Sequence, residues 1–279
     1  MIKKVLIALG KAACYTALFL GAQLAVSMVY ALVGGVDAVL PYVYDNSLPD
    51  MEAIAAKMAE YLMDHALVVT IFSDLLALGL LWLFFVLRKR SFLRETHLHK
   101  GVPGLAYLPL IVGGACLAGV VSSILGMLPI PESVWEEYET SSSMLGGAGP
   151  LALLASVFVA PFAEEVFFRG AVYTRLRRAM HPVVAAVLSA FVFGLMHGQI
   201  IWICYAFVVG LAMAAVFERT FSVRAAVAVH LAFNFAGGYM MSFLETSPVL
   251  ASAFAAGTAL CWIWLSRICP YTKLRPEEI

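Results

Sequence analysis

Charge is scarce in this sequence. Only 13% of its 279 residues are Asp, Glu, Lys or Arg, against 62% hydrophobic residues, and the mean hydropathy is +0.91. Soluble domains carry about 25% charged and about 45–50% apolar residues, so the shortage excludes an ordinary soluble domain and points to a polytopic membrane protein. Basic and acidic residues number 18 each, which leaves no excess positive charge to support nucleic-acid binding. The cysteines form no CxxC pair: Cys14, Cys116, Cys204 and Cys261 fall inside apolar runs and Cys269 lies just beyond the last, so no disulfide framework is expected. No internal repeat, low-complexity tract or long linker divides the chain. Residues 1–279 therefore read as a single membrane domain.

Long apolar runs are abundant. Runs of roughly 20 residues, enough to cross a hydrocarbon core, give an all-α bundle of about eight transmembrane helices at 10–34, 66–87, 104–128, 150–169, 182–197, 199–217, 224–244 and 248–266. The first follows Lys3 and Lys4 and is too long for a cleaved signal peptide, so it reads as a signal anchor. Only a Gly-Gln pair separates the fifth run from the sixth, which predicts a tight helical hairpin. The connections alternate in charge. Those at 35–65 and 129–149 are acidic, whereas basic residues gather at Arg88, Lys89, Arg90, Arg94 and Lys100, at Arg175, Arg177 and Arg178, and at Arg219 and Arg224. Cytoplasmic loops retain positive charge, so both termini are expected in the cytoplasm, in an integral, multi-pass protein of a bacterial plasma membrane. Each of the two acidic connections is long enough for a short surface helix.

Polar groups at membrane depth are costly and usually face a cavity or a partner. Here they are Asp74 in the second run, Glu164, Glu165 and Arg169 in the fourth, His197 at the end of the fifth, and His230 and Asn234 in the seventh. Residues four apart share a helix face, so Glu165 and Arg169 can pair, while Glu164 points about 100° away. His230 and Asn234 repeat that spacing, as do Phe193 and His197. Pro161 removes a backbone hydrogen bond just before the glutamates and is expected to kink the helix. A carboxylate, two histidines and an amide converging in a wet cavity form a hydrolytic constellation.

The segments "EEVFFR", "FGLMH" and "HLAFN", on successive apolar runs, resemble the three motifs of the CPBP (Abi) family of intramembrane proteases, which includes the type II CAAX prenyl endopeptidases. The resemblance covers about 148–244, the expected catalytic core, and the first three runs and the last carry no matching motif. It implies an endopeptidase acting on a membrane-associated, prenylated or other peptide substrate within the lipid bilayer. Glu164 would activate water, His197 would hold it, and His230 and Asn234 would stabilise the oxyanion, with Glu165 and Arg169 in support. A zinc ion, if bound, would take Glu164, His197 and His230, but no HExxH is present and the expectation is a glutamate mechanism without metal.

Other protease classes fit less well. A rhomboid-like enzyme needs GxSG, a site-2-type enzyme HExxH and a presenilin-like enzyme two membrane aspartates, whereas only Asp74 lies in a run. Each residue alone also has a structural reading: Glu165 with Arg169 as an ion pair, either histidine or Asn234 as an interhelical hydrogen-bonding group, Asp74 as structural, and Phe167, Phe168, Phe191 and Phe193 as packing or lipid-facing. The alternatives from another class are a non-catalytic membrane protein of the same fold, such as an immunity or scaffold protein, and a proton-coupled carrier using Glu164 and Asp74. The sequence lacks the internal symmetry of many carriers. By simple counting His230 lies shallower than His197, so the segment "RLRRAMHP" is expected to project into the cytoplasm with the site open to that side.

Overall fold

The computed structural model describes residues 2–145, 149–241 and 247–272, and among them every regular element is helical. In chain order the longer ones are α1 (Ile2–Tyr44), α2 (Met51–Asp64), α3 (Ala66–Leu87), α4 (Tyr107–Met127), α5 (Glu132–Leu145), α6 (Pro150–Arg177), α7 (Pro182–Leu195), α8 (Ile200–Thr220), α9 (Val223–Tyr239) and α10 (Pro248–Ile268). Both acidic connections contain a helix, α2 and α5, of 14 residues each. Asp50 caps α2 by accepting from the backbone N–H groups of Glu52 and Ala53.

Six of these segments are long and apolar enough to cross a membrane, counting α4 from Gly104. The fifth and seventh runs expected as spans are shorter helices. At 1.5 Å per residue, the 14 residues of α7 extend about 21 Å and the 17 of α9 about 25 Å, against a hydrocarbon core of about 30 Å. α7 stops where Gly198 turns at φ +73°, and α8 hands over to α9 through Phe221 in the left-handed region at φ +48°. α7 and α8 pack along each other as the expected hairpin, with Gly194 against the backbone of Ile203 and Gly210 against Ala190.

The centre of the bundle is α6. Every residue from Glu165 to Arg177 is buried, so this stretch is surrounded by protein on all sides. Phe167 and Phe168 meet Phe19 of α1, and Phe168 meets Phe193 of α7. Pro161 cannot donate to the carbonyl four residues back. The expected irregularity takes the form of two π-helical stretches, Leu153–Val159 and Val166–Tyr173, on either side of Ala160–Glu165. Such widened turns are frequent at functional sites.

The first part of the segment expected to project is packed, with Arg175, Leu176 and Arg177 buried, while Arg178 and His181 are exposed. Thr174 is fully buried and its hydroxyl donates to Gly170 O at 2.6 Å. Arg175 binds the Glu95 carboxylate at 2.6 Å, and Arg177 grips both oxygens of Glu218. The arginines find carboxylates within the fold, so their charge does not hold the segment in water. The connection between α3 and α4 turns inward against them: Thr96, His97 and Leu98 are buried, and a Cβ on Gly170 would stand 2.8 Å from Thr96 O. The same connection receives the start of α9, through Ser222 Oγ donating to Lys100 O and Arg224 Nε donating to Leu98 O. The first turn of α9 is therefore already inside the protein, and His197 and His230 line one cavity.

Small residues set the remaining distances. On α4, a Cβ at Gly114 would lie 2.5 Å from the carbonyl oxygen of Val229 on α9, and one at Gly119 would strike the ring of Phe254 on α10. Gly114→Ala should therefore lower stability by about 1–3 kcal/mol, seen as a lower thermal midpoint in detergent. Gly79→Ala, with nothing within 4 Å of the added carbon, should leave the midpoint unchanged or raise it, as expected for Ala in a helix interior. Equal midpoints for Gly114→Ala and wild type would contradict this packing.

Candidate active site

A cavity of about 530 Å³ lies between α3, α4, α6, α8 and α9, with its wall completed by Phe193, Met196 and His197. Glu164, His197, His230 and Asn234 all line it. Glu165 and Arg169 stand behind this wall, with side chains 0% and 1% exposed. The six residues singled out in the sequence thus divide into four facing the cavity and two beneath it.

Glu165 joins the two groups. Its Oε1 accepts from Arg169 Nη1 at 2.8 Å and from His230 Nδ1 at 2.9 Å. The four-residue spacing anticipates the first bond, while the second, from another helix, has no sequence signal. Because the carboxylate paired with Arg169 accepts hydrogen bonds, His230 Nδ1 must carry the proton it donates. The opposite ring nitrogen, Nε2, then faces Glu164, with 3.6 Å to Oε2. Arg169 also donates through Nη2 to Gly210 O at 3.1 Å and lies over the ring of Phe193 at 4.5 Å. This charge is therefore held by a carboxylate, a carbonyl and an aromatic face.

His197 is oriented by its own helix. Its Nδ1 lies 2.9 Å from Phe193 O, a carbonyl that can only accept, so Nδ1 is protonated and Nε2 of the neutral ring presents a lone pair. Asn234 Nδ2 donates to Ser156 O at 2.8 Å, within the first π-helical stretch, and this uses one of its two N–H groups. Phe193 is 1% exposed and stands edge-on to both histidines, at 4.9 Å from His197 and 5.9 Å from His230. Of the four phenylalanines expected to pack or face lipid, Phe167 and Phe168 are buried, Phe191 is exposed, and Phe193 additionally forms part of the site wall. Its place four residues before His197 was the available signal.

Asp74, read from the sequence as structural, also lines the cavity and is 2% exposed. Polar residues Gln23, Thr70 and Ser122 share its part of the lining, and Tyr138 and Ser142 of α5 extend the cavity toward the acidic connection. α5 is held there by Gln199 Nε2 donating to Val134 O and by the edge contact of Tyr138 with Trp202. The inward-turned connection after α3 packs against the basic end of α6. Among the described residues, no three His, Cys, Asp or Glu side chains are gathered so as to hold a metal ion. Glu164, His197 and His230 share the cavity without forming such a set.

Residues 147–236 match the family model for the type II CAAX prenyl endopeptidase, Rce1-like. No curated protein and no solved structure matches the chain. The Rce1-like segment includes Glu164, Glu165, Arg169, His197, His230 and Asn234, whereas Asp74 lies outside it.

The two glutamates should respond differently to the same change. Removing one partner of a buried ion pair costs about 3–5 kcal/mol, so Glu165→Gln should markedly lower the thermal midpoint. Glu164→Gln, at a cavity-facing side chain 19% exposed, should keep it close to wild type. Equal destabilisation by the two substitutions would contradict this division.

Proposed function

We propose that this chain is an intramembrane endopeptidase in which Glu164 activates water for attack on a peptide bond of a membrane-associated substrate. One observation carries the reading: Glu165 takes the Nδ1–H of His230 and thereby turns Nε2 toward Glu164 inside a polar-lined cavity. The protease character of Rce1-like domains supports it.

Glu164 acts as the general base, taking one proton from water as the oxygen adds to the scissile carbonyl carbon. His197 Nε2 accepts a hydrogen bond from the other water hydrogen, which turns an oxygen lone pair toward the carbonyl. Negative charge then develops on the carbonyl oxygen. Doubly protonated His230 donates Nε2–H to it while Nδ1–H stays on Glu165, and the free N–H of Asn234 supplies a second donor. Donors preset where charge develops are usually a large contribution to acyl-transfer catalysis.

The substrate class proposed is a prenylated CAAX tail or a similar lipid-held peptide, since the apolar bundle admits substrates already partitioned into the bilayer. No step is assigned to a metal ion.

Purified protein in lipid nanodiscs, supplied with a farnesylated CAAX peptide, tests the reading. Wild type should release the terminal tripeptide, and Glu164→Gln should lose about 10²–10⁴-fold in kcat, the usual contribution of general acid–base catalysis, while remaining folded. Cleavage by Glu164→Gln at the wild-type rate would remove the proposed base. A wild type inert toward this peptide would count against the CAAX substrate class and favour a non-catalytic member of the fold.

A further inference from the structure

Asp74 has no structural explanation. It lies eight residues into α3, about 12 Å from the helix start at 1.5 Å per residue, and only 2% of it is exposed. Among the described residues it accepts no hydrogen bond and meets no cation, although its neighbour Ser73 is satisfied by Thr70 O. A polar side chain at membrane depth usually meets a partner or faces a cavity, and Asp74 does the second. A side chain kept for structure would have a partner or be apolar. Asp74 has neither property and faces the cavity that holds Glu164.

α3 packs against α6 along Leu153–Val159 and Ala160–Glu165, and Asp74 and Glu164 line the same cavity. Two carboxylates sharing one cavity do not both ionise readily, and environment decides which one keeps the proton. Glu164 faces His230 Nε2 at 3.6 Å, whereas Asp74 faces no positive group. The contact with His230 is what distinguishes Glu164 from Asp74 in this cavity, and it suits Glu164 to the role of base and Asp74 to that of acid.

We propose that Asp74 is the catalytic acid that protonates the leaving amine. This rests on the endopeptidase reading above and adds the step which that reading lacks. After water has added and Glu164 has taken its proton, the C–N bond breaks and its electron pair goes to nitrogen. The Asp74 carboxylic acid delivers its proton there, the carbonyl re-forms, and the products are an acid and an amine. The proton on Glu164 then passes to the Asp74 carboxylate, directly or through water, and restores the starting state. One water is consumed and no other reactant is needed.

Asp74→Asn is the test, because Asn keeps the shape and cannot donate a carboxylic proton. Two probes are compared in nanodiscs: a farnesylated CAAX peptide and the same peptide with an ester at the scissile bond, whose alkoxide leaves with far less help than an amine. Asp74→Asn should lose at least about 10²-fold in kcat on the amide, the scale of general acid catalysis, and less than about 10-fold on the ester. Asp74→Glu should recover part of the amide rate, and the thermal midpoint of Asp74→Asn should equal or exceed that of wild type.

Equal losses on both probes, wild-type amide cleavage, or a lowered midpoint would each overturn the assignment. Glu164→Gln separates the two levels of the account. If it abolishes cleavage of both probes while Asp74→Asn leaves amide cleavage intact, only the role of Asp74 fails. If Glu164→Gln remains active, the endopeptidase mechanism fails with it. The thermal midpoint judges Asp74 even without turnover.

Discussion

The fold depends on how one oxygen of a buried carboxylate joins two helices. Glu165 has no exposure, and its Oε1 takes hydrogen bonds from Arg169 on its own helix and from His230 on α9. Charge in an apolar bundle is stable only when paired and hydrogen-bonded. That requirement fixes α9 against α6, holds the Arg169 guanidinium over Phe193, and leaves Glu164 as the neighbouring carboxylate turned toward the cavity. The same pairing that supports the helices thus orients His230.

Bringing α9 to α6 at the right height requires packing elsewhere. The connection after α3 folds inward, places Thr96 and Leu98 under the bundle, and meets Arg175, Ser222 and Arg224. Gly114 lets α4 approach the backbone of α9, and Gly170 lets α6 approach Thr96. The π-helical turns on either side of Pro161 expose Ser156 O as the acceptor for Asn234. Loop, glycines and widened turns all serve one geometry, in which groups from α6, α7 and α9 meet.

Much of this was legible in the sequence because it rests on local periodicity. Apolar runs gave the helices, the four-residue spacing gave the Glu165–Arg169 pair, and the three motifs pointed to the four polar residues that line the cavity. What escaped depends on contacts between distant segments. Whether α7 and α9 are full spans cannot be judged from hydropathy alone, since their ends are set by Gly198 and by the turn at Phe221. The bond from His230 to Glu165 joins positions 65 apart, and the burial of Arg175 and Arg177 depends on Glu95 and Glu218 being nearby in space. Asp74 carries no motif, and its place became evident only when α3 was seen beside α6.

The central claim is that Glu165 takes the Nδ1 proton of His230 and leaves Nε2 facing Glu164. Nitrogen-15 NMR of histidine-labelled protein, with the signal assigned by its loss in His230→Gln, measures this directly. The account predicts that His230 Nδ1 is protonated, with a strongly deshielded hydrogen-bonded proton that persists in Glu164→Gln and is lost in Glu165→Gln. An unprotonated Nδ1, or a signal indifferent to Glu165→Gln, would contradict it.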